Sequence, residues 1–184
     1  MGKGHLVLGE IQDFLSGKML VETHDERARQ QIARFLVKEK GYPKDEVASR
    51  ISLPVTVDGR VGHTRIDFAL RPSGMSYAVV IYGPGSLVTR QKPALAAASL
   101  MESYMVPYAV VTNGLDAEVL DTRTGKVVGT GLSGIPSRQK AMEEAERIRF
   151  APVPEGRRDQ ARRILFAMDI LSRRECDDAC ETCE

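Results

Sequence analysis

The six residues Tyr77–Tyr82 read Tyr-Ala-Val-Val-Ile-Tyr, without a charge among them, and Gly83-Pro84-Gly85-Ser86 ends the run at once. A stretch this short is far below the roughly 18 apolar residues of a membrane span. Its β-branched content and its Gly/Pro boundary predict a strand buried on both faces. Such a strand sits inside a sheet and needs a packing layer on each side. The chain has 184 residues, 42% of them hydrophobic, enough for one well-buried core and one domain.

The flanking sequence predicts those layers. Residues 23–40 read as a helix, with Thr23 and Glu26 at capping-box spacing and Ile32, Phe35 and Leu36 on one face. Gly41-Tyr42-Pro43 ends it. Strands are expected at 50–57 and 64–70, joined through the Asp58-Gly59 turn signal. After the buried strand, a helix is expected at 94–104, with Lys92-Pro93 near its start. Strands follow at 108–112 and 118–121, then a Gly-rich loop at 129–136 and helices at 137–150 and 157–174. The order is helix, three-strand meander, helix, strand, which predicts a mixed α/β (α+β) class. Residues 1–22 read as an N-terminal extension, 23–174 as the domain and 175–184 as an acidic tail. No signal peptide or apolar anchor is legible, so a cytoplasmic protein is expected.

Five strings stand in a telling order: Asp25-Glu26-Arg27-Ala28-Arg29-Gln30, Gly41-Tyr42-Pro43-Lys44, Arg65-Ile66-Asp67-Phe68, Val79 to Leu87, and Tyr108 to Gly114. Together they resemble the N-terminal domain of type I restriction enzyme R subunits, within the PD-(D/E)xK nuclease-like superfamily. The resemblance implies a restriction-endonuclease-like αβββαβ core. It also implies carboxylates that hold Mg²⁺ at the scissile phosphate and a lysine that orients the attacking water. On this pattern Asp67 is the second-strand carboxylate and Glu26 the candidate helical acid. The Glu and Lys expected on the third strand fall at Val80 and Tyr82, neither of which can do that work. No Glu-x-Lys or Asp-x-Lys occurs anywhere in 77–90.

The expectation is therefore a catalytically degenerate nuclease-fold module that binds DNA or a protein partner of a restriction or repair system. Two alternatives stay open: an active metal-dependent endonuclease with a rearranged site, and an assembly protein with a vestigial cleft. Each residue also has a plainer reading. Asp67 could be a strand acid paired with Arg65, Glu26 a capping residue, and Tyr82 a core tyrosine. No phosphate-loop motif is present, so no ATPase activity is expected.

Charge adds a second theme. The last ten residues hold five acids and no base. Without them, 26 basic and 20 acidic residues leave the body at +6, compatible with nucleic-acid contact. Arg90 and Lys92, with Arg157, Arg158 and Arg162 of the last helix, are the candidate phosphate contacts. All three cysteines, Cys176, Cys180 and Cys183, fall in the last nine residues. Their spacing suits Zn²⁺ or an iron–sulfur cluster, or else an acidic tail of reduced thiols. No tightly bound cofactor is expected.

Overall fold

The computed structural model describes residues 6–148 and 150–171. A two-stranded antiparallel hairpin, β1 (Gly9–Gln12) and β2 (Met19–Glu22), precedes helix α1 (His24–Lys38). The main sheet follows: β3 (Val47–Val57), β4 (Arg60–Leu70), β5 (Ala78–Tyr82), then helix α2 (Val88–Leu100), then β6 (Tyr108–Thr112), β7 (Ala117–Asp121) and β8 (Val127–Thr130). The six strands lie side by side in sequence order, all antiparallel except β5–β6. That parallel pair needs a crossover, which α2 supplies. A short α3 (Gly131–Gly134), α4 (Arg138–Ala145), α5 (Glu155–Leu165) and a π-helical turn at Phe166–Leu171 complete the described chain. The class is mixed α/β, with the expected helix, three strands, helix, strand order. No helix among the described residues is long and apolar enough to cross a membrane.

The uncharged run Tyr77–Tyr82 contains the central strand β5. Val79 packs into one apolar layer with the α2 alanines, Leu165 and Phe166. Ala78 and Val80 pack into the opposite layer with Ile32 and Leu36 of α1 and Ala141 of α4. Alternation along β5 therefore feeds two cores at once, which is why the stretch carries no polar residue.

Several boundaries differ from the sequence expectation. Residues 9–22 form a hairpin where only an extension is legible. Helix α2 begins at Val88, with Pro93 inside it. So close to the helix start the proline removes a single hydrogen bond, and the preceding turn forms regardless. The Gly-rich segment 129–136 carries the end of β8 and all of α3. There Gly129 and Gly134 meet so closely that a Cβ on Gly129 would lie 3.2 Å from the Gly134 carbonyl oxygen. Helix α4 stops at Ala145, short of the expected 150. The last expected helix changes to a π-helical turn at Phe166, and its remainder, with Arg173 and Arg174, lies outside the described residues.

One distortion positions the site. In β3, Leu53 and Val55 face the α2 layer, whereas Val47 faces the α1 layer. In β4, Ile66 faces the first layer and Phe68 and Leu70 the second. These residues share parity within each strand, so the alternation breaks between them. The break is at Arg50, a left-handed residue with φ 53°. It lies opposite Asp67, between the pairs Ser49–Phe68 and Ile51–Ile66. A side-chain-bearing residue in this conformation costs about 1–2 kcal/mol. Ion pairs from the Arg50 guanidinium to Asp13 (3.1 Å) and Glu26 offset that cost.

Asp13 is the hub of this support. It is 2% exposed and accepts hydrogen bonds from Ser16 Oγ (2.5 Å), Ser16 N (2.9 Å), Gln30 Nε2 (2.8 Å) and Arg50 Nη1 (3.1 Å). Burial alone would raise its pKa. The hydrogen bonds from Ser16, Gln30 and Arg50 outweigh burial and hold it down at about 2, against an ordinary 3.8. The folded value lies below the unfolded one, so the stabilisation is complete above pH 3.8 and is lost as pH falls toward 2. Asp13→Asn is expected to cost about 2 kcal/mol at pH 7 and to flatten the acid limb of the stability curve. Urea melts between pH 2 and 7 check this; an unchanged acid limb would show that Asp13 is not the hub.

Candidate functional site

The break at Arg50 and Asp67 turns the Asp67 side chain toward the C-terminal end of β5 and the start of α1. Asp67 is 4% exposed. Its Oδ1 accepts a hydrogen bond from Arg29 Nε at 2.7 Å, and its Oδ2 accepts the Tyr82 backbone N–H at 2.8 Å. Arg65 Nη2 stands 3.5 Å from Oδ1. The Arg29 guanidinium also lies over the Tyr82 ring, 5.2 Å from its centroid. The Tyr82 hydroxyl donates to Asp25 Oδ1 at 3.2 Å. Burial, with the neighbouring Asp25 carboxylate, raises the Tyr82 pKa, so the phenol stays protonated and remains a donor at neutral pH. Asp25 and Arg29 are four residues apart on α1, which brings both to one face of the helix.

A cavity of about 280 Å³ opens beside this cluster. Its polar lining comes from Arg29, Arg65, Asp67 and Arg90, with Thr64 and Asp169 opposite. Thr64 donates its hydroxyl hydrogen bond to Asp169, which the π-helical turn brings against β4. A Cβ on Gly62 would fall 2.5 Å from Ile170, so the absent side chain at 62 is what lets this turn dock.

The sequence candidates separate under this geometry. Asp67 and Tyr82 meet in the cavity, with Arg90. Val80 does not line it; the residue is 0% exposed and packs against α1. Glu26 is elsewhere as well. Its backbone N–H caps α1 on Thr23 Oγ1 at 3.1 Å, while its carboxylate binds Gln30 Nε2 at 2.7 Å and Arg50. The helical acid nearest Tyr82 is thus Asp25, one residue earlier.

The basic candidates scatter too. Arg157 donates to the carbonyls of Thr122 and Arg123, and Arg158 to those of Ser99 and Glu102. These bonds tie α5 to the β7–β8 turn and to the end of α2. Arg162 pairs with Glu155 at 2.6 Å. Lys92 lines a separate shallow groove with Arg157. Cys176, Cys180 and Cys183 lie outside the described residues. Sequence reasoning missed Arg29 and Asp169 as cavity groups, and Asp25 as the partner of the Tyr82 hydroxyl. The only prior signal was the i, i+4 spacing of Asp25 and Arg29.

A divalent ion needs several oxygen ligands that are free to turn toward it. Here one Asp67 oxygen is engaged by an arginine and the other by a backbone amide, and Val80 brings no donor. Among the described residues, no three His, Cys, Asp or Glu side chains gather as a metal-holding group. This donor set does not fit Mg²⁺. The cation beside Asp67 is a guanidinium.

No curated protein and no solved structure matches the chain. A family model does, that of the type I restriction enzyme R protein N terminus, over residues 24–136. The match spans the opening helix, the bent hairpin, the central strand, the crossover and the β6–β7 pair, so it contains Asp67 and all but one of the charged groups of the cavity. On that coverage, the chain belongs to the family of type I restriction enzyme R protein N-terminal domains.

Proposed function

We propose that this chain is a nuclease-fold domain of a restriction system that has exchanged metal-dependent cleavage for binding, with DNA as its partner. Family membership supports a restriction-related, nuclease-like role. The observation that carries the finer reading is the Arg29–Asp67 pair. The carboxylate that would hold Mg²⁺ in the family's chemistry is neutralised by an arginine of α1 at 2.7 Å. The same exchange makes the cleft cationic, and cationic clefts attract phosphate backbones.

Titration with Mn²⁺ and incubation of supercoiled DNA with Mg²⁺ or Mn²⁺ test the reading. No specific metal binding and no cleavage are expected. DNA retention at low salt is expected, falling steeply as salt rises. Micromolar Mn²⁺ binding that disappears in Asp67→Ala would overturn the proposal. One observation favours the second reading, an endonuclease with a rearranged site: Asp169 brings another carboxylate to the cavity that Asp67 lines. Under that reading Asp169→Asn abolishes metal binding as completely as Asp67→Ala does.

A further inference from the structure

The cavity beside Asp67 has a charge pattern that neither a metal site nor an ordinary core explains. Three guanidinium groups, of Arg29, Arg65 and Arg90, face it together with two carboxylates, of Asp67 and Asp169, for a net charge of +1. Arg29 and Arg65 both approach the same oxygen of Asp67. Arg90 has no carboxylate within ion-pair distance among the described residues. It donates weakly to the Pro84 carbonyl at 3.4 Å, and its Nε is buried without any hydrogen-bond partner. A buried donor left in this state costs about 1–3 kcal/mol. Its guanidinium lies flat on Gly83, where a Cβ would come within 2.0 Å of the guanidinium carbon. The absence of a side chain at 83 thus makes room for Arg90 at the mouth of the cavity.

We infer that this cavity is a binding pocket for a phosphomonoester, in which Arg90 and Arg65 grip the phosphoryl oxygens and Arg29 supports them from its pair with Asp67. The inference rests on the reading that no metal occupies this place. The volume of about 280 Å³ lies at the lower edge of the ~300–1,000 Å³ typical of small-molecule sites, enough for a terminal group and too little for a duplex. Charge favours a terminal phosphate over an internal one. A phosphomonoester carries about −1.5 to −2 at pH 7, whereas a backbone diester carries one charge. Arginine forks bind such oxygens bidentately. The Thr64 and Thr89 hydroxyls, also on the lining, already donate to Asp169 and to the Ser86 carbonyl, so the arginines carry the grip. The phosphoryl group could belong to a free nucleotide or to the end of a nucleic acid strand, and the chemistry at the arginines is the same.

The test measures binding of the full chain, in EDTA, to a short single-stranded oligonucleotide with either a 5′-phosphate or a 5′-hydroxyl. A nucleoside monophosphate and inorganic phosphate serve as competitors. The phosphorylated strand is expected to bind about tenfold more tightly than the hydroxyl form, the worth of one charge-assisted contact. Arg90→Gln should reduce that ratio to about one, weakening the phosphorylated strand more than the hydroxyl strand. Asp169→Asn removes a competing carboxylate from the cavity and should strengthen phosphate binding, a gain that a misfolded variant cannot mimic. Full competition by the monophosphate assigns the pocket to free nucleotides; weak competition assigns it to strand ends. Either result supports the pocket. Equal affinity for the two strands, with no effect of phosphate or of Asp169→Asn, overturns it and leaves the DNA-binding reading intact. Phosphate binding that appears only when Mn²⁺ replaces EDTA overturns both.

Discussion

Arg29→Ala is expected to destabilise the domain by about 3–5 kcal/mol, because it leaves the buried Asp67 carboxylate without its close cation. The side chains are 15% and 5% exposed, so solvent does little to screen the loss. Arg65 remains, but at 3.5 Å it is too far to replace a 2.7 Å contact without moving. The loss includes more than charge. The Arg29 guanidinium also covers Tyr82, whose amide holds the other Asp67 oxygen. Removing it loosens the end of β5 and the start of α1 together. The double variant Arg29→Ala/Asp67→Asn should recover much of the loss, since no orphaned charge is left. Urea denaturation of the four proteins in this cycle checks it. A single-variant loss below about 1 kcal/mol, with no coupling to Asp67, would mean that the pair is an ordinary surface contact and not the replacement for a metal.

Val80→Glu is expected to cost about 4 kcal/mol at pH 7 and to restore no metal binding, even when combined with Tyr82→Lys. The position is where the resemblance seen in the sequence leads one to expect a metal-binding glutamate. In this structure its side chain packs with Phe68, Ile32 and Leu36, away from the cavity. A glutamate there would have no cation and no water. Its folded-state pKa would rise well above the unfolded value of about 4.3, so the penalty is full above the folded pKa and vanishes as pH falls below the unfolded one. The variant should therefore gain on the wild type between about pH 8 and pH 4. Thermal melts across that range and an Mn²⁺ titration at pH 7 settle the matter. A folded Val80→Glu/Tyr82→Lys variant that binds Mn²⁺ tightly would show that the strand rotates to open the site, and that lost activity is two substitutions deep.

Local chemistry in the chain determined most of the scaffold. The uncharged run at 77–82 reads as a central strand from its β-branched content and its Gly/Pro boundary, and Ala78–Tyr82 is one. Thr23 could cap α1 whatever lay beyond it. Asp58-Gly59 gives the β3–β4 turn, where both residues take positive φ. The absence of Glu-x-Lys from 77–90 was also legible, because a missing residue type needs no geometry to be noticed. The tertiary structure decided which residues meet. Glu26 and Asp25 are neighbours in sequence, yet one serves Arg50 and the other Tyr82, because adjacent helical residues point about 100° apart. Val80 and Tyr82 share a strand face, but only the tyrosine is near enough to the strand end to reach the cavity. Arg157 and Arg158 read as phosphate contacts until the β7–β8 turn and the end of α2 present carbonyls to them. Arg29 and Asp67 stand 38 residues apart. Their pairing depends on a left-handed residue at Arg50 that no turn motif announces, held by Asp13 from a hairpin the sequence did not reveal. Backbone preference acts over a few residues and is written locally; a charge pair across the fold depends on where the bent hairpin and the helix come to rest.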